Sequence, residues 1–127
     1  MDDLVQWLRD RLNEDERVAR RAGDSFRQIG GTGVIVATEG DRAEECASAY
    51  WTGIAEHIVR HDPAHVLAEL TFKRAIVDDF VRERQVMDEA GHRTEWAEGA
   101  QSVRRLLVQT WATHYKDHPG FRAEWFA

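Results

Sequence analysis

One cysteine, two prolines and no long apolar run are what this 127-residue chain offers in the way of scarcity. With Cys46 alone, neither an intramolecular disulfide nor a multi-cysteine zinc site can form, so a reducing compartment is natural. No catalytic pattern surrounds Cys46, and it is expected to be a small buried hydrophobe. The lack of a span-length apolar run excludes a transmembrane helix. MDDLVQWLRD is acidic and helical rather than a basic-then-apolar leader, so the expected location is the cytoplasm. Bases are in the minority, 17 against 23 acids, and the two signs are interspersed, which disfavours a broad nucleic-acid-binding face. No GxSxG elbow and no HExxH pair is present, which removes the local signatures of a serine hydrolase and a zinc peptidase.

What is present is an ordinary globular composition weighted toward helix formers, enough for one domain over residues 1–127. Asp2 or Asp3 is expected to cap a first helix reaching about Ala22. Leu4, Val5, Trp7, Leu8, Leu12, Val18 and Ala19 lie on its apolar face, and Gly23 is its stop. Ser25–Ile29 and Val34–Thr38, separated by Gly30-Gly31-Thr32-Gly33, read as a small hairpin. A phosphate-binding loop would need Lys-Ser/Thr and then a helix, whereas VIVAT follows here. From Glu39 to Arg60 the four-residue spacing of Cys46, Tyr50, Ile54 and Ile58 predicts helix, with Gly53 as a candidate interruption.

The longest element is predicted to begin at His61-Asp62-Pro63, where Asp62 can accept from free N–H groups ahead of it and Pro63 lacks an N–H where none is needed. Its apolar stripe is Val66, Leu67, Leu70, Phe72, Ile76, Val77, Phe80 and Val81, and it frays between Arg84 and Gly91. Gly91–Gly99 reads as a polar loop. Ala100–Tyr115 is the last long helix, with Val103, Leu106, Leu107, Trp111 and Tyr115 on its apolar side and His114 in the same arc. Pro119-Gly120 suits a type II turn, after which Phe121 and Trp125 fold back as an aromatic clasp. The expected architecture is mostly helical α+β: three to four helices packed together with one small β-hairpin after the first helix.

MDDLVQWLRDRLNEDERVAR, EHIVRHDPAHVLAEL with KRAI, and YKDHPGFRAEW together resemble a family of uncharacterised small proteins, a domain of unknown function from Streptomyces-type actinobacteria and their phages. HDPA and DHPG-aromatic-R-x-E-W are its most specific parts. The resemblance implies kinship and no chemistry. Departures fall in the hairpin region and between Val81 and Gln101, where relatives carry segments of other lengths, some with cysteines absent here. Arg11, Asp15, His61, Asp62, Glu69, Lys73, Asp117, His118 and Trp125 match the family pattern.

Four charged residues project into apolar stripes at ~100° per residue: Arg11 and Asp15 on the first helix, Glu69 and Lys73 on the long one. Glu69 and Lys73 are expected to neutralise each other on the inward face, approached by Arg11 and Asp15. If open to water instead, the same four would form a polar pocket for a nucleotide or metabolite, or for a minor hydrolase. His57, His61 and His65 are spaced i, i+4, i+8, but Pro63 separates His65 from the other two. His57 and His61 remain a candidate metal pair, with Asp62 or Asp117-His118 as third-ligand candidates. No ligand set is complete, so neither a metal nor a cofactor is expected. Trp7, Trp111 and Trp125 fit core faces, whereas Trp51 and Trp96 sit in polar contexts where a partner surface can use them. The residues read as ligand- or partner-binding candidates are Arg11, Asp15, Glu69, Lys73, His61, Asp117, His118, Trp51 and Trp96. The function read from the sequence is a small non-enzymatic protein-interaction or regulatory module. Its expected partner is another protein, with a small molecule as the alternative and no membrane.

Overall fold

A computed structural model describes residues 1–91 and 94–126. In chain order it contains α1 (Asp2–Arg21), β1 (Ser25–Gln28), β2 (Val34–Glu39), β3 (Arg42–Ser48), α2 (Thr52–Arg60), α3 (Pro63–Ala90), α4 (Glu95–Thr113) and a closing 3₁₀ turn, Ala123–Phe126. The mostly helical α+β expectation holds, with three strands in place of two. The chain divides into two compact units, one of Met1–Leu12 with Phe72–Ala127, the other Asn13–Thr71.

In the first unit the core is made by helical stripes. Leu4, Leu8 and Leu12 recur every four residues along α1 and are fully buried; Val77 and Phe80 on α3 and Val108, Trp111 and Ala112 on α4 are buried as well. Arg9 Nη2 reaches Asp78 Oδ1 at 2.7 Å, and Arg84 pairs with Asp2, so α1 and α3 run antiparallel here. The aromatic clasp forms as expected. Trp7 takes Tyr115, Phe121 and Trp125 around its ring at 6.2, 5.9 and 5.3 Å between centroids. Gly120 adopts φ +93° in that turn, and a Cβ there would stand 3.0 Å from Trp7 Nε1, so only glycine lets the tail lie this close.

The second unit is built on an antiparallel sheet in the order β1-β2-β3. The glycine run is a hairpin turn followed by a strand, as its sequence suggests. Gly33, with φ +80°, lies so close to Ala49 that a Cβ would overlap the Ala49 carbonyl oxygen. Ile35 of β2 and Ala55 of α2 are fully buried, with α2 packed against β1 and β2. Asp62 caps α3 as read, Oδ1 accepting from His65 N at 2.9 Å. Its Oδ2 also accepts from Phe26 N at 3.1 Å, tying β1 to the start of α3.

Several expectations are corrected. Residues 42–48 form a strand rather than helix, because Gly40 takes φ +58° at the first central position of a two-residue turn and reverses the chain. Cys46 is exposed rather than buried. The β2–β3 register slips between Ile35 and Val36, whose partners are Ala47 and Glu45, so Cys46 is the unpaired residue of a bulge on an exposed edge strand. Asp2 and Asp3 lie in the first turn of α1, with the Met1 carbonyl accepting the first helical bond from Val5 N. Val18 and Phe72 face outward, each 62% exposed. Helix α4 starts at Glu95 inside the stretch read as loop, because Thr94 Oγ1 accepts from Ala97 N at 3.1 Å. His92 and Arg93 of that loop lie outside the described residues.

Candidate interaction surface

Helix α4 carries two faces of different fate. Its inward side is Ala97, Ala100, Gln101, Arg104, Val108, Trp111 and Ala112, all buried or half-buried. Two of these are polar and satisfied locally, with Gln101 Nε2 donating to the Phe80 carbonyl at 2.8 Å and Arg104 Nη1 donating to Gln101 Oε1 at 3.4 Å. The side opposite is apolar and open. Trp96 is 81% exposed, Val103 58% and Leu106 61%, and Gly99, Thr110 and Thr113 on the same line are exposed too. Val103 and Leu106 were expected in the core, as was His114, which is also exposed. The inward arc is therefore rotated from the expected one. Gln101 and Arg104 find partners inside, so the buried stripe follows packing rather than hydropathy.

Trp96, Gly99, Val103, Leu106, Thr110 and Thr113 are spaced 3-4-3-4-3. That is the spacing of the a and d positions of a coiled coil, filled here by three large apolar residues, one glycine and two threonines. The four charged residues of α4 are Glu95, Glu98, Arg104 and Arg105, and none occupies a seam position. A solvated helix face normally carries the charges. Phe72 of α3, itself exposed, meets Trp111 on the buried side of α4 edge-on at 6.2 Å. The hydroxyl of Thr113 already donates to the Thr110 carbonyl at 2.5 Å, so covering Thr113 would not strand that donor. The seam was missed in the sequence because the N-terminal turn of α4 was taken for loop, which cut Trp96 off from its register.

The candidate residues named from the sequence fall in several places. Trp96 is the first seam residue. Trp51 is exposed beside Tyr50 and Ile54, where β3 leads into α2. In the first unit Arg11 and His118 come together. Arg11 Nη1 contacts both ring nitrogens of His118, and Nδ1 also lies 2.6 Å from the Pro119 carbonyl. Arg11 also stands over the Trp7 ring at 5.8 Å. Asp117 is exposed in the turn after α4, and Lys73 is half-buried on α3.

In the second unit Asp15 and His61 line one cleft of about 330 Å³, together with Glu14 and the apolar side chains of Phe26, Pro63 and Val66. Glu69 is not inward. Its side chain is 54% exposed and meets His65 Nε2 at 3.0 Å, one turn back along α3. Among the described residues no charged side chain is buried, so the expected mutually neutralising pair in a closed core is corrected: desolvating the charge costs more than an outward rotamer does. The histidines also differ from expectation. Helix does break between Arg60 and Pro63, yet His57, His61 and His65 still form one file, with centroids 4.5 and 5.2 Å apart. Among the described residues no three His, Cys, Asp or Glu stand where they could hold a metal ion.

Fold and surface together define a small, mostly helical α+β protein that presents an uncovered helical seam. The chain belongs to the family described as "Family of unknown function (DUF6221)", whose model matches residues 1–127. Neither the curated proteins nor the solved structures compared with it contain a match. Among the described residues no helix is long and apolar enough to cross a membrane.

Proposed function

We propose that the protein is a protein-interaction module that docks helix against helix through α4. The observation that carries this reading is the exposed seam, in which three large apolar side chains keep coiled-coil spacing on a helix already anchored by its other side. Apolar residues scattered over a surface need no explanation, but large ones aligned on one face of a helix support a contact role. A photo-crosslinking amino acid placed at Val103 tests it, with Arg105, exposed and outside the seam, as the control. Irradiation in cells is expected to give a discrete protein adduct from position 103 and none from 105. No adduct from 103, or the same pattern from both positions, would contradict the reading.

A second reading, small-ligand binding, is favoured by the cleft of the second unit. Its volume suits a molecule of modest size, and the apolar side chains of Phe26, Pro63 and Val66 suit a flat apolar body. Benzamide at millimolar concentration is then expected to raise the melting temperature while acetamide, which lacks the flat apolar ring, does not. Equal shifts from the two, or none from either, would remove this reading.

A further inference from the structure

We infer that the cavity between α1 and the closing segment of the chain is a binding site for a quaternary ammonium group. The inference does not draw on the contact role of α4. The cavity has a volume of about 350 Å³, and its walls are Asp3, Trp7 and Asp10 of α1 with Gly120, Arg122 and Trp125 of the tail, all within the first unit. These residues come from MDDLVQWLRD and DHPGFRAEW, two of the stretches that carry the family resemblance, which the α4 contact leaves without a role.

Trp7 and Trp125, both half-buried, stand 5.3 Å apart between centroids and are tilted by 49°, so they make a corner rather than a stack. An indole face carries the negative end of the ring quadrupole and attracts cations better than other aromatic rings do. The protein's own Arg122 shows this at the same wall. Its guanidinium lies 5.7 Å from the centre of the Trp125 ring, while Nη1 meets Asp3 Oδ2 at 3.4 Å. One carboxylate is left over. Asp10 accepts from Gln6 Nε2 at 3.0 Å, and among the described residues no basic side chain pairs with it. Arg11, which stands over the Trp7 ring, is engaged with His118 and lies outside the cavity wall. Two carboxylates against one guanidinium give the wall a net negative charge, which favours a cation as guest.

Hydrogen-bond capacity selects among cations. A primary ammonium brings three N–H donors and a guanidinium five, and each donor left unmet costs free energy. The acceptors on the wall are partly spent, Asp3 on Arg122 and Asp10 on Gln6, and an indole N–H is a donor only. A trimethylammonium group donates no hydrogen bond. It is held by ring faces and a nearby carboxylate, and it lays its methyl groups against the two indoles. Because Asp3 and Asp10 are exposed, the expected affinity is in the millimolar range.

Titration of the nitrogen-15-labelled chain with choline, at constant ionic strength, tests this through the indole N–H resonances. Those of Trp7 and Trp125 should shift saturably, while those of Trp51, Trp96 and Trp111, which do not line the cavity, stay in place. The uncharged isostere of choline, with carbon in place of nitrogen, should bind about tenfold more weakly. Asp10→Asn keeps the size of the side chain and an acceptor for Gln6, and should weaken choline binding about threefold. Equal binding of the isostere would show a cavity indifferent to charge, and equal shifts at Trp51 and Trp96 would show loose surface contact; either overturns the site. So would the absence of a saturable shift up to about 50 mM choline. Ethanolamine binding as tightly as choline would overturn the quaternary class. A peptide carrying trimethyllysine separates the two sources of such a group: tighter binding than choline assigns it to a protein side chain, weaker binding to a small molecule.

Discussion

Asp62 shows how far single residues can be read. Its place before Pro63 announces an N-cap, and the structure supplies that bond at 2.9 Å. The second bond, from Phe26 N, joins residues 36 apart and could not be read from local sequence. Removing the carboxylate orphans both donors at a half-buried position. Asp62→Ala is therefore expected to lower stability by about 2–3 kcal/mol, more than a cap alone, while Asp62→Asn retains part of it. Urea unfolding of the three proteins measures this, and a loss within about 0.5 kcal/mol for the alanine variant would show that neither bond matters. Glu69 and Cys46 mark the opposite case. Glu69 is placed inward by its angle on a helix and Cys46 by its residue type, but Glu69 swings to His65 on the surface and Cys46 sits on the bulge of an exposed edge strand.

At the scale of elements, legibility followed the strength of the local signal. Helices α1 and α3 were evident from long periodic stripes, and the β1–β2 turn from its glycines. The third strand was hidden because Cys46, Tyr50, Ile54 and Ile58 mimic helical spacing, although Gly40-Asp41 is itself a hairpin signal: only glycine takes φ +58° there without strain. The face of α4 was misassigned for a different reason. Two apolar stripes run along one helix, and hydropathy cannot say which of them a protein buries in itself. Packing decided it, through Val108, Trp111 and Ala112 on one side and satisfied polar groups at Gln101 and Arg104 next to them.

For the molecule as a whole, the family match spans the full chain and the fold is mostly helical α+β. The nine candidate residues divide accordingly. Arg11 and His118 support the aromatic clasp of one unit, Asp15 and His61 line the cleft of the other, and Trp96 opens the seam. The proposed contact role requires one side of α4 to be core and the other to be dispensable for folding, and the same substitution two residues apart separates them. Val108 is fully buried and Leu106 is not. Val108→Glu is expected to lose more than about 4 kcal/mol or fail to fold, because it drives a charge into the core. Leu106→Glu should stay within about 0.5 kcal/mol of the unmodified chain, measured as monomer at low concentration. Equilibrium urea unfolding of the pair is the most direct measurement. A stable Val108→Glu beside a collapsed Leu106→Glu would mean that the seam is core and that the proposed contact face does not exist.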